Sequence, residues 1–221
     1  MAKLSRVSLE RKRELSKPDR FMVLLQTAAA YVSRHRRFAI SAVALVLVLA
    51  LSVSVISYWN EKSEQAATVE LTALMNRTGE AADLRESYQA LYEKHGGSVA
   101  GRIAGLKYAD TCYQKGDMEA AIAAYQRVAG DFKKHPPFRR LAWQGLGYAR
   151  EAMGDYEEAA RAFEKIIEDS SIAQKDLALF NLGRMYDQMG EVDRSRNAFD
   201  RLLTAYPDSM YAPVARSQLT G

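Results

Sequence analysis

Cysteine is almost absent from this chain. Cys112 stands alone, so no internal disulfide can form. It falls on the apolar side of a helical pattern, which predicts a small buried hydrophobe in place of a reactive thiol. Histidine is scarce as well: His35, His95 and His135 lie far apart and lack the spacing of a metal site. There is no glycine-rich phosphate loop, no candidate serine–histidine–aspartate set and no His-Glu-x-x-His run. Carboxylates are plentiful, but Glu157, Glu158 and Glu164 follow solvent-face positions. These absences argue against an enzyme, and they call for no cofactor, no metal and no small-molecule substrate.

Charge is missing from one long stretch. Phe38 to Trp59 is 22 residues without Asp, Glu, Lys or Arg. As a helix it spans about 33 Å at ~1.5 Å per residue, enough for a bilayer core. A small helical protein has nothing large enough to bury such a helix, so residues 38–59 are read as a transmembrane segment. The 37 residues before it are too long for a usual signal-peptide leader. No convincing small-x-small cleavage site precedes Tyr58 and no lipidation cysteine follows the run. The segment is therefore expected to be an uncleaved anchor.

The flanks set its orientation. Residues 1–37 hold ten Lys/Arg against three acids, whereas residues 38–221 hold 21 against 24. The positive-inside rule puts residues 1–37 in the cytoplasm and residues 60–221 outside it. The net charge of +4 is thus a topology signal on a short tail, and weak evidence for nucleic acid. Within the tail, residues 1–17 are polar and basic. After Pro18 the residues Phe21, Leu24, Leu25, Ala28 and Val32 share one helical face. That face either lies amphipathically on the inner leaflet or simply extends the membrane helix. Beyond Trp59 no Pro or Gly appears until Gly79, so helix is expected to continue to about Met75.

What is present in the remainder is a repeat. Gly116, Gly154 and Gly190 recur 38 and 36 residues apart in the same frame. Nine places after each comes Tyr125, Phe163 or Phe199, and twelve after comes Val128, Ile166 or Leu202. Five after comes Ala121, Ala159 or Ser195, and seven before comes Ala109, Gly147 or Gly183. Each glycine should end a first helix in a left-handed conformation. Asp117 and Asp155 should cap the second helix, with Glu191 a weaker cap. Small residues such as Gly147 and Ala159 should lie where the two helices cross. A period near this length means stacked helical hairpins, which usually offer a binding surface.

The pattern resembles the tetratricopeptide repeat over about residues 99–209. The third unit carries its usual positions as Leu182, Gly183, Tyr186, Ser195, Phe199, Leu202 and Pro207. The second carries Trp143, Leu146, Gly147, Ala159 and Phe163, with Arg150 for the usual Tyr and Ser171 for the Pro. The first has Tyr108, Ala109 and Cys112. Residues 79–94 read as the second helix of a half-repeat, and residues 209–219 as a terminal capping helix. The expected fold is all-α: one N-terminal transmembrane helix, then a solenoid of about three and a half hairpins.

In tetratricopeptide domains the first helix of each hairpin lines the concave face. Mapping those positions gives Leu106, Asp110, Tyr113 and Gln114, then Gln144, Tyr148 and Glu151, then Phe180, Arg184 and Asp187. Capture of a C-terminal carboxylate needs a cluster of Lys, Arg and Asn, and only Arg184 and Asn181 are here. The set better suits an extended or partly unfolded segment. Tyr113, Tyr148 and Phe180 either form an exposed ladder for it or pack between hairpins.

The whole arrangement also resembles the YfgM-type ancillary subunit of the bacterial Sec translocon. The likeness rests on the helix ending Tyr58-Trp59-Asn60, the Ala-rich helix after it, Gly97-Ser98-Val99-Ala100-Gly101-Arg102-Ile103-Ala104-Gly105-Leu106, and Lys115-Gly116-Asp117-Met118-Glu119-Ala120-Ala121. It covers most of residues 19–206. It implies a bacterial inner-membrane protein with a periplasmic domain, beside the Sec translocon and a membrane-anchored periplasmic chaperone, assisting exported chains. A cell-envelope scaffold for cell-wall synthesis or outer-membrane assembly is the competing reading. A cytoplasmic tail that holds a signalling partner is the third.

Overall fold

The computed structural model describes residues 20–77 and 81–220. The expectation for the basic stretch 1–17 lies outside them, as do the side chains of Phe21, Leu25, Ala28 and Val32. The described residues form helices without a strand. The chain divides into two units, Met1–Tyr58 and Trp59–Gly221.

The first unit holds helix α1, Arg20–Arg34, and the start of helix α2, Arg36–Met75. Only His35 interrupts the helical run between them. No Pro or Gly breaks α2, and it ends at Met75, where continuation past Trp59 was expected to stop. Its apolar stretch reaches a mean hydropathy of 2.8, with none of it buried. Among the described residues, one helix is therefore long and apolar enough to cross a membrane.

The second unit is a stack of hairpins. Ala67, Leu71 and Leu74 on the last turns of α2 are buried and share the core of α3, Ala81–His95, as the half-repeat required. Three full hairpins follow: α4 (Val99–Gln114) with α5 (Met118–Asp131), α6 (Pro136–Ala152) with α7 (Tyr156–Glu168), and α8 (Asp176–Gln188) with α9 (Val192–Ala205). Helix α10, Ala212–Thr220, closes the stack by burying Ala212 and Ala215 beside Phe199 and Leu202.

Each hairpin turns the same way. Gly116, Gly154 and Gly190 have φ of +79°, +76° and +73°, and no other described residue has a positive φ. The amide after each glycine donates back to Cys112, Arg150 or Tyr186, and that of the glycine to Tyr113, Glu151 or Asp187. These paired bonds satisfy carbonyls that the helix end would otherwise leave open. Asp117 and Asp155 then accept from Ala120 and Glu158, at 3.2 and 3.4 Å. Glu191 makes no such bond. Its longer side chain instead pairs with Arg194 at 2.6 Å.

The small residues at the crossings do more than admit a neighbouring backbone. A Cβ on Gly147 would meet the Phe163 ring at 2.6 Å, and one on Gly183 the Phe199 ring at 2.6 Å. The glycine makes room for the aromatic that the same repeat supplies, which is why both rings are buried. The second unit also manages without its usual Tyr and Pro. Arg150 pairs with Asp155 at 2.9 Å. The Ser171 amide donates to Asp169 at 3.0 Å, forming a turn by hydrogen bond where a proline would preset it.

Candidate protein-binding face

The first helices α4, α6 and α8 carry the candidate positions. Leu106 is buried in the core at 7% exposure, so it is corrected from a contact residue to a packing one. Its helix turns it inward against the half-repeat, among Leu91, Tyr92 and Ala104. Gln114 and Asp187 are exposed at the ends of α4 and α8. Asp110, Tyr113, Gln144, Tyr148, Glu151, Phe180 and Arg184 are half-buried.

The polar members are largely tied down within the protein. Asp110 accepts from the Tyr125 hydroxyl at 2.7 Å. Burial, then this bond, pushes the Tyr125 phenol well above its ordinary range. Gln144 accepts from Arg140 at 3.3 Å. Arg184 donates to Glu151 of the preceding hairpin at 2.6 Å, and to Asn181 at 2.9 Å. Asn181 in turn donates to the Tyr148 hydroxyl at 3.1 Å. A chain of bonds, Glu151–Arg184–Asn181–Tyr148, thus joins α6 to α8. Arg184 is paired with Glu151, so its charge is already met within the protein.

The aromatics are divided between core and surface. Tyr148 packs edge-on to Phe163, with centroids 5.7 Å apart. Burial raises its phenol pKa. Phe180 stacks on Tyr211 at 5.1 Å and leans on Phe199 at 6.1 Å. Tyr113 borders the core around α4. Each ring keeps a core-facing side and a half-open side. Two residues outside the predicted set matter as much. Asn181, only 2% exposed, is the link between hairpins, and Tyr211 on the approach to α10 continues the aromatic row past Phe180. Asn181 takes the repeat position of Gly145 and Lys107, so periodicity could not mark it. With most of its charges partnered internally and its rings partly open, the face can grip neutral and aromatic side chains by area burial.

Residues 30–220 match the model of a tetratricopeptide repeat-like domain. The chain belongs to this family. Solved structures share the fold of this tetratricopeptide repeat-like protein, among them the following. A tetratricopeptide repeat protein from Parabacteroides merdae has a TM-score of 0.56 at 16% identity, covering 72% of this chain; the chain spans 59% of that protein's length. PilW, described as a widely conserved type IV pilus biogenesis factor, has a TM-score of 0.52 at 17% identity, over 67% of this chain and 66% of that one. No curated protein matches the chain.

Proposed function

We propose that this chain is a single-pass protein of the bacterial inner membrane, with its N-terminus in the cytoplasm and its repeats in the periplasm. It acts by binding and not by catalysis. Its partners are the Sec translocon, a membrane-anchored periplasmic chaperone and, transiently, exported chains held on the first-helix face. The observation that carries this reading is helix α2, which passes from an apolar run into the first repeat without a break. The family match starts at residue 30 and so takes in that apolar helix together with the repeats, as the resemblance to the translocon subunit implies. The ten-to-three charge imbalance before Phe38 supports the orientation.

Photo-cross-linking tests both points. A cross-linker at Gln144 of the full chain should trap translocon subunits, the chaperone or a secreted chain. Protease added to spheroplasts should digest the repeats. Cross-links only to cytoplasmic proteins, or repeats protected until lysis, would reverse the topology. A second reading, the envelope scaffold, draws on the third repeat, whose Leu182, Gly183, Tyr186, Phe199, Leu202 and Pro207 keep to the general repeat pattern more closely than the translocon resemblance requires. Cross-links to cell-wall or outer-membrane assembly factors would favour it.

A further inference from the structure

The second helices α7 and α9 enclose a groove of about 450 Å³ between the second and third full hairpins. Its floor is apolar, made by Ile167 of α7, Leu182 of α8 and Ala198 of α9. Tyr186, one turn further along α8, adds its ring.

Five charged side chains line the walls, and three of them are engaged within the protein. Glu164 accepts from the Tyr186 hydroxyl at 2.5 Å. Arg194 lies 3.9 Å from the Tyr186 ring centroid, pairs with Glu191 at 2.6 Å and approaches Glu164 at 3.7 Å. Glu168 pairs with Lys165 at 3.2 Å. The other two, Asp193 and Arg201, are exposed and have no ionic partner among the described residues. Both stand on α9, eight residues apart, which is about 12 Å at ~1.5 Å per residue. Exposed Asn197 sits midway between them, and its amide can both donate and accept.

The preceding repeat treats the same three positions differently. There they are Glu157, Arg161 and Lys165. Arg161 pairs with Glu157 at 2.7 Å and also with Glu158, and Lys165 pairs with Glu168. Helix α7 thus meets its own charges. Helix α9 has Asn197 where that arginine stands, and so keeps an open anion and an open cation at the two ends of one groove.

We propose that this groove binds a linear segment of a partner protein, with an acidic residue at Arg201, an aliphatic residue over the floor and a basic residue at Asp193. An extended chain fits that spacing. Residues i, i+2 and i+4 of a strand share one face, and i to i+4 spans about 13 Å. Asn197 is placed to bond the backbone of the segment between the two charges. The site requires neither the membrane span nor the first-helix face.

The probe is the end-capped pentapeptide Asp-Ser-Leu-Ser-Lys with photo-leucine at its centre, irradiated with the full chain in detergent micelles. Labelled residues are located by fragment mass. Label should fall on α7 and α9 about fivefold more than from the matching peptides with Asp at both ends or Lys at both ends. Salt at about 0.5 M should level the three. Arg201→Glu should make the Lys-ended peptide the strongest label, and Asp193→Lys the Asp-ended one. Both positions are exposed, so the urea midpoint of the repeats should hold in each variant. Should either reversal unfold the chain, Arg201→Gln should still erase the lead of the mixed peptide over the Lys-ended one. Equal label from all three peptides, or a preference that no variant moves, would overturn the proposal. Label confined to Tyr148 and Phe180 would overturn it too, while supporting the first-helix face as the place where chains are held.

Discussion

The first six or so turns of α2 and its last three share one backbone geometry and follow opposite side-chain rules. From Phe38 to Tyr58 apolar side chains point in every direction, and Leu45, Leu47, Leu49 and Leu51 are all more than half exposed. From Glu64 to Met75 the apolar residues are fewer but periodic. Ala67, Leu71 and Leu74 are buried while Val69, between them, is 72% exposed. The first stretch is apolar on every side and long enough to cross a membrane. The second has one apolar stripe, which α3 covers. The amount of apolar surface decides the solvent, and its period decides the partner.

The largest break in that comparison should come where period alone assigns burial. Ala159 is fully buried on α7 and Glu157, two residues away, faces solvent. Ala159→Glu overpacks the crossing and buries a charge, at a cost of roughly 4 kcal/mol or more, whereas Glu157→Ala should stay within about 0.5 kcal/mol. Equal melting temperatures for the two would sink the repeat register.

Within α2 itself, Leu71→Ala should destabilise the repeats by about 3 kcal/mol, through lost burial and the cavity left behind. Leu49→Ala removes the same atoms from an exposed side chain, and urea unfolding of the repeats should not register it. If both variants shift the midpoint alike, the two stretches are not governed by different solvents.

A smaller effect sharpens the account of the binding face. Tyr148→Phe keeps the ring on Phe163 and removes the hydroxyl that accepts from buried Asn181. The expected loss is about 1–2 kcal/mol, the cost of one unsatisfied buried donor. An unchanged melting curve would mean that Asn181 is satisfied without it, and that the bridge between α6 and α8 is dispensable.

The smallest effect depends on pH. Burial tends to raise the Asp169 carboxyl pKa, but bonds from Ser171 and the Arg139 guanidinium outweigh it and hold the group below the usual carboxylate range. A pKa depressed on folding stabilises the protein above the unfolded value, near ~3.9, and that contribution fades as pH falls through the folded value. Melting temperature of the wild type should therefore drop more steeply below about pH 4 than that of Asp169→Asn. Parallel acid limbs would show that the loop carboxylate is not linked to folding.

Much of the fold was legible because repetition multiplies weak signals. One glycine followed by an acid is a poor marker of a hairpin, but Gly116, Gly154 and Gly190 in register leave little else, and all three adopt the left-handed conformation. The end of α2 at Met75 followed from the composition change and the distance to the next glycine. The face was legible only in outline. Positional mapping placed Leu106 with Gln144 and Phe180, yet the half-repeat buries Leu106. Arg184 and Glu151 were both mapped to the face by position, but that they pair with each other across two hairpins was not legible.

The residue pattern by itself determined that this protein is a run of helices with one membrane-length apolar segment, and where each hairpin turns. Those properties are local: helix periodicity, a residue free to adopt positive φ, and hydropathy summed along the chain. Tertiary structure alone decided which side chains meet across hairpins. Tyr148 with Asn181, Arg184 with Glu151, Phe180 with Tyr211 and Arg139 with Asp169 are joined across about 30 residues of chain, and their partners depend on how neighbouring hairpins stack. Stacking is set by the fit of rings such as Phe163 and Phe199 against Gly147 and Gly183, a matter of shape that periodicity does not encode.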